Sequence, residues 1–284
     1  MNEACLYIVS TPIGNLGDIT ARAVDVLGSV DVIAAEDTRH TARLLNHLGI
    51  RKPLLACHEH NERDRSAQII AKMAAGESVA LVSDAGTPLI SDPGYILVTA
   101  VREAGYRVAP VPGACALVAA LSVSGLPSDR FFFEGFLPAR PVARRKRLQV
   151  LSGLEYTWIF YESRHRIEEC LVDMADVLGA ERNIVIAREL TKTFETVLAR
   201  QVDECLSQLR IDASQKKGEF VVLVHGAESL KTSGINKDSE NIMGILLKEL
   251  PLKQASRLAS RITGVRKKTL YEYGLALKEP LIKS

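Results

Sequence analysis

Five short clusters hold the residue types from which a reactive site can be built: Pro12/Gly14, Glu36/Asp37, His58/Glu59, Ser83/Asp84 and Pro112/Gly113. Each directly follows an apolar, β-rich run. The fullest stretch is Val79 to Gly94, V-A-L-V-S-D-A-G-T-P-L-I-S-D-P-G. An open parallel sheet makes its ligand crevice at the carboxyl ends of buried strands. Gly86 and Gly94 permit close backbone approach or a positive φ. Asp84 offers a carboxylate to a ribose or a cationic group. Glycine and proline at strand ends favour recognition of a flat or extended ligand by bare main chain. A plain strand–turn–helix connection has the same composition, so the neighbouring motifs decide between the two.

Two familiar phosphate cradles are missing. There is neither G-x-x-x-x-G-K-[ST] nor G-x-G-x-x-G, which removes support for a phosphate loop or a dinucleotide fingerprint. His58 and His60 around Glu59 lack an evident third ligand, so the expectation is no metal site.

The elements that must position these clusters alternate. Strands are expected at 6–10, 30–35, 53–57, 79–82 and 108–111. Helices are expected at 20–27, from Asp37 or Thr38 as cap to 48, and at 64–75, 95–104 and 116–124. Strand–helix alternation with short loops means a doubly wound parallel sheet, with all five clusters along one edge.

Leu126-Pro127-Ser128-Asp129 looks like a domain junction. Beyond it, strands are expected at 130–136, 157–161, 183–187, 196–199 and 218–224, with helices to 178 and over 201–209. This is a second α/β unit with a mixed sheet. The run R-P-V-A-R-R-K-R from Arg140 to Arg147 is either a solvated helix face or a contact for a phosphate backbone. Residues 227–240 read as a polar linker. Helices at 242–250, 252–262 and 267–277, with a turn at Gly264, make a small helix–turn–helix module. A dimerisation hairpin has the same pattern.

Composition sets the class. At 284 residues, 47% apolar and 25% charged, the chain has the make-up of a globular protein of one large or two medium domains. No run reaches the roughly 20 apolar residues of a membrane span, and residues 1–5 do not open a signal peptide. Five scattered cysteines without a C-x-x-C pair fit reduced thiols and a cytoplasmic setting. Residues 231–284 carry 11 Lys/Arg against 5 Asp/Glu, whereas the rest carries 25 against 29. A basic tail on a mildly acidic body suits an anionic partner.

Taken together, T-P-I-G-N-L-G-D (Thr11 to Asp18), A-E-D-T-R (Ala35 to Arg39), S-D-A-G-T-P-L-I-S-D-P-G (Ser83 to Gly94) and V-P-G-A-C-A (Val111 to Ala116) resemble the tetrapyrrole methylase superfamily. F-Y-E-S-R-H-R (Phe160 to Arg166), A-R-E-L-T-K (Ala187 to Lys192) and G-E-F-V-V-L-V (Gly218 to Val224) extend the likeness to its small-subunit ribosomal RNA methyltransferase I group. Porphyrin and corrin methylases usually show G-P-G in the first loop and G-D-P in the central one. Thr11-Pro12-Ile13-Gly14 and Ser83-Asp84-Ala85 depart from this and point away from a tetrapyrrole substrate.

The resemblance implies two α/β domains, 1–126 and 127–227, with a linker and basic RNA-binding tail over 228–284. It implies a homodimer that uses S-adenosyl-L-methionine to 2′-O-methylate a cytidine in the decoding region of 16S ribosomal RNA in the small ribosomal subunit. The cofactor would lie between the α/β units. Its contacts would fall on Pro12, Gly14, Asp84, Thr87, Gly113, Cys115 and Ala116 on one side, and on Tyr161, Arg188, Glu219 and Phe220 on the other. RNA contacts would fall on Arg140, Arg144, Arg145, Lys146, Arg164, Arg266, Lys267 and Lys268.

Methylating a hydroxyl is an in-line displacement that needs help removing a proton. Lys192 is a candidate if burial lowers its pKa, Glu189 and Glu36 are candidate bases, and Arg188 or Arg164 is placed to steady an alkoxide or phosphate. Spacing does not choose among them. A tetrapyrrole-precursor methylase and a non-catalytic RNA-binding assembly factor remain the competing readings.

Overall fold

The computed structural model describes residues 4–227 and 237–278. The described residues up to Ala227 form one compact unit, which contains both sheets, and those from Lys237 onward form another.

The first sheet is all parallel. Its strands β1 (Cys5–Val9), β2 (Val32–Ala35), β3 (Leu54–Ala56), β4 (Val79–Val82) and β5 (Arg107–Val111) lie in the order β3-β2-β4-β1-β5. Every residue of β2 and β4 is buried, as expected of strands covered on both faces. The period-2 alternation sends Leu6, Ala34 and Leu81 to one core, and Val9, Ile33 and Val82 to the other.

Four helices connect these strands, α1 (Ala21–Ser29), α2 (Thr38–His47), α3 (Glu62–Ala74) and α4 (Tyr95–Glu103), and α5 (Ala116–Ser124) follows β5. Thr20 caps α1 by accepting from the Ala23 N–H, and Asp37 caps α2 by accepting from the Arg39 N–H. With the strands parallel, their carboxyl ends share one edge.

The second sheet is mixed. Its strands β6 (Phe131–Phe136), β7 (Thr157–Ser163), β8 (Asn183–Arg188), β9 (Thr196–Gln201) and β10 (Glu219–Val224) lie in the order β6-β7-β10-β8-β9, and only the β6–β7 pair is parallel. Helices α6 (Pro141–Leu151), α7 (Ile167–Leu178) and α8 (Val202–Ile211) contribute to the core on one face, around Trp158 and Phe160. The other face carries Ile159, Val185, Ala187 and Val221 and receives Leu117 and Ala120 of α5. The helix that leaves the first sheet is therefore packed on the second. Its apolar sequence, A-L-V-A-A-L-S-V-S, allows this double burial.

Two strands run further than their apolar runs suggest. Ser163 pairs with Glu219 and Arg188 with Phe220, so the expected loop starts at Glu162 and Arg188 are still sheet. Hydrogen bonding to β10 carries the ladder past the hydrophobic stretch.

In the second unit, α9 (Lys237–Glu249), α10 (Leu252–Thr263) and α11 (Lys267–Lys278) enclose Met243, Ala255, Ala259 and Leu270. Gly264 ends α10 with φ +74°, a conformation glycine adopts without a Cβ penalty. The expected linker over 227–240 is corrected in part: α9 already begins at Lys237, and 228–236 lie outside the described residues.

Candidate active site

A cavity of about 340 Å³ lies between the carboxyl edge of the first sheet and the second sheet. Ile13, Gly86, Thr87 and Ile90 line one side, Cys115 and Ala116 come from the start of α5, and Tyr161, Ala187, Leu190 and Phe220 line the other. Its size and mostly apolar lining suit one small organic ligand.

Main chain builds the first wall. Thr11 and Gly86 exchange backbone hydrogen bonds: Thr11 N–H donates to Gly86 O at 2.8 Å and Gly86 N–H to Thr11 O at 3.1 Å. The Ser10 and Thr87 hydroxyl oxygens are 2.9 Å apart, and Thr87 also donates to Ala114 O at 3.0 Å. Three strand-end loops are thereby tied together. A Cβ on Gly113 would sit 2.8 Å from Ser10 Cβ, so glycine is what lets the β5 loop approach β1. Across the cleft, Tyr161 OH accepts from the Leu117 N–H at 3.2 Å and ties the second sheet to α5. Burial pushes the Tyr161 phenol well above its ordinary value.

Backbone strain marks the same cavity. Among the described residues, the non-glycine positions with positive φ are Leu89 (+74°), Ser91 (+67°), Glu189 (+50°) and Thr191 (+65°). Each pair flanks a residue that lines the cleft, Ile90 in one case and Leu190 in the other. Such conformations cost of order 1–3 kcal/mol each and gather at functional sites. Composition gives no signal for them, because neither loop uses glycine there.

Charge is arranged differently from the expectation for Lys192. Its Nζ lies 2.9 Å from Glu189 Oε1 and 2.9 Å from Glu219 Oε2. Burial acts to lower the Lys192 pKa, but the hydrogen bonds to these two carboxylates outweigh it, and the net direction is upward. Burial likewise acts to raise Glu189, yet the Lys192 and Glu219 N–H bonds leave it lowered. An ammonium held charged and a carboxylate held ionised are weak proton acceptors, which corrects both candidate roles. The Lys192 stem instead lies over Gly14, where an added Cβ would clash with its Cγ.

Arg188 is also corrected. It is 7% exposed and donates to the carbonyls of Lys217, Phe194 and Ser214 and to Thr196 Oγ1. Its guanidinium pins the loops behind the sheet and is absent from the cavity lining. Asp84 accepts from the Asp37 N–H at 3.0 Å and joins β4 to the start of α2. Asp84, Pro12, Gly14 and Gly113 are not among the residues that line the cavity.

The carboxylate that sequence reasoning passed over is Asp92. It lines the cleft and also a second cavity of about 580 Å³, whose walls include Glu36, His58 and Tyr95. Burial pushes Asp92 up to about 6. Its signal was the Ser91-Asp92-Pro93-Gly94 turn, legible as a turn but without a role. Glu36 sits in the second cavity, its carboxyl raised by burial. Among the described residues no group of three or more His, Cys, Asp and Glu is arranged to hold a metal ion, and no helix is long and apolar enough to cross a membrane.

The basic run divides. Arg144 is 1% exposed and bound to Asp173, so it is unable to reach a polynucleotide. Arg145 also binds Asp173, and Arg147 binds Glu134 through two bonds of 2.6 Å. Arg140, Lys146 and Arg164 are exposed, as are Arg266, Lys267 and Lys268 in the second unit.

Comparison with known proteins gives a consistent set of likenesses. Residues 5–205 match the family model of Tetrapyrrole (Corrin/Porphyrin) Methylases, and residues 233–278 match that of the RsmI C-terminal HTH domain. The ribosomal RNA small subunit methyltransferase I of Pseudomonas aeruginosa is 53% identical over 276 residues, 97% of this chain and 98% of that one. That of Escherichia coli O157:H7 is 52% identical over 274 residues, 96% of each chain. Among solved structures, the cobalt precorrin-4 methyltransferase superposes with a TM-score of 0.58 at 18% identity, covering 78% of this chain and 94% of that one. Uroporphyrin-III-C-methyltransferase from Thermus thermophilus gives 0.54 at 20% identity, covering 80% and 96%. At such identities the structural likeness is one of fold.

Proposed function

This chain belongs to the tetrapyrrole (corrin/porphyrin) methylase family, and from that premise we propose that it 2′-O-methylates a cytidine of 16S ribosomal RNA, in the decoding region of the small subunit, using S-adenosyl-L-methionine. The observation that carries the reading is the cleft with two strained loops presenting Ile90 and Leu190 into it. The names of the relatives supply the polynucleotide class.

The lining fits such a methyl donor. Apolar side chains and bare backbone at Gly86 and Ala116 offer flat surfaces and dipoles, and the charged side chains of the lining are Asp92, Glu162, Lys192 and Glu219. When bound there, the donor would supply an electrophilic methyl group on a sulfonium. A carboxylate beside a sulfonium stabilises the reactant more than the transition state, in which that charge is partly dispersed. Lys192 limits this penalty by offsetting one of the two negative charges of Glu189 and Glu219. Thr87, Cys115, Ala116, Tyr161 and Phe220 would hold the donor.

Asp92 would accept the hydroxyl proton as the acceptor oxygen is methylated. With a pKa near 6 it is a stronger base than an ordinary carboxylate, yet mostly ionised at neutral pH. Arg140, Lys146, Arg164 and the Arg266-Lys267-Lys268 run would hold phosphates, with an affinity that falls as salt rises. The chain would act as a homodimer in the cytoplasm.

The deciding experiment incubates the purified chain with tritiated S-adenosyl-L-methionine and small ribosomal subunits from cells lacking it, then maps the labelled nucleotide. Label on a ribose of 16S RNA supports the reading. Label on porphyrinogens alone, or on nothing, rejects it.

A further inference from the structure

The second cavity is unused by the donor. It opens along the carboxyl edge of β2, β3 and β4, and Ser91 and Asp92 form the wall it shares with the donor cleft. A group seated in it therefore lies next to the residue assigned the proton.

Its chemistry is unusual for a protein that holds a polyanion. Glu36, Glu59, Glu62 and Asp92 line it, so phosphate is repelled. Tyr95 stands at its edge, 74% exposed, on the first residue of α4. Two features fix that ring's backbone. Gly94 has φ +136°, and a Cβ there would meet Leu81 and Leu89 at 2.9 Å. Buried Glu62 accepts from the Leu97 N–H at 2.9 Å and so caps α4 through space. An exposed aromatic on a fixed helix start, above a carboxylate-lined hollow, is a stacking platform with hydrogen-bond acceptors below it.

We propose that this cavity receives the base of the nucleotide to be methylated, stacked on Tyr95, with Glu36 accepting from an exocyclic amino group. Cytosine presents an amino donor where uracil presents a carbonyl oxygen, so an acidic acceptor takes the first and repels the second. Extrusion of one base into such a pocket leaves the phosphates outside with the exposed cations. The inference rests on the RNA-methylating reading above.

The test uses the full chain and small subunits carrying either C or U at the mapped target. The unaltered protein favours C by about tenfold or more in kcat/KM. Glu36→Gln draws that ratio toward one. Tyr95→Ala raises KM for subunits by about tenfold, and Tyr95→Phe restores it, because stacking needs only the ring. Donor affinity, read by calorimetry, stays unchanged in all three and reports intact folding. If the unaltered chain methylates RNA but neither substitution moves KM or the C-to-U ratio, the pocket assignment is overturned alone. If the unaltered chain labels no RNA, the underlying reading falls and the assignment falls with it.

Discussion

Arg144 Nε lies 2.6 Å from Asp173 Oδ2, and both side chains are out of solvent, at 1% and 3% exposure. Arg145 takes the other oxygen of the same carboxylate at 2.5 Å. One acid on α7 thus fixes two neighbouring arginines of α6, and Arg144, in a run that reads as a polynucleotide contact, is internal scaffolding. Removing one member of a buried pair leaves the other charge uncompensated, at a cost of about 3–5 kcal/mol. Asp173→Ala should lower stability by about that much in chemical denaturation. Arg140→Ala should leave stability unchanged and reduce the salt slope of RNA binding by about 1.

Lys192 is held by two carboxylates, so Lys192→Met should destabilise the fold at neutral pH without removing a limb of the rate profile near pH 7. The pH dependence has a defined sign. Glu189, lowered in the folded state, contributes stability above the ordinary glutamate range and loses it as pH falls through its depressed value. Lys192, raised, contributes below the ordinary lysine range and loses it as pH rises through its elevated value. The stability gap between the two proteins should therefore be widest between these ranges and close at both extremes, as denaturation across pH will read.

Asp92 has the opposite sign from most acids. Its folded pKa is near 6 against an ordinary 3.8, so the native state binds the proton more tightly and stability declines as pH rises from about 4 to about 6. Asp92→Asn should remove that decline. Methyl transfer should rise with pH through about 6 in the unaltered enzyme, and Asp92→Asn should lose that limb together with about 10²–10⁴-fold in rate. Single-turnover measurements across pH 5–8 check both.

Thr191 combines a φ of +65° with a buried hydroxyl that lacks a hydrogen-bond partner. Thr191→Gly removes both costs and should stabilise the fold by about 1 kcal/mol. It should also slacken Leu190 and weaken donor binding by a fewfold. A thermal melt and a donor titration on the same sample measure the two effects.

Gly113 should tolerate little. Gly113→Val would press on Ser10 Cβ, where even a single added carbon stands at 2.8 Å, and part the loops that Thr87 ties together. Donor affinity should drop about tenfold or more, with the acceptor pocket around Tyr95 undisturbed.

The sequence by itself determined the elements and one edge of the site. Buried runs such as Val79–Val82, the caps Thr20 and Asp37, and the glycines of the loops report local forces: burial period, orphan N–H groups, permitted φ. These act within a few residues, so spacing records them, and Thr87, Cys115, Ala116, Tyr161 and Phe220 indeed come together around one cavity. Which charges are available is set across the fold. Asp173 claims Arg144 from 29 residues away, Glu219 claims Lys192 from 27, and four carbonyl or hydroxyl oxygens consume Arg188. Asp92 acquires its shifted pKa chiefly from desolvation between two cavities. Tertiary packing alone sets burial and long-range pairing, and these decide which of several identical side chains is a strut and which is left to do chemistry.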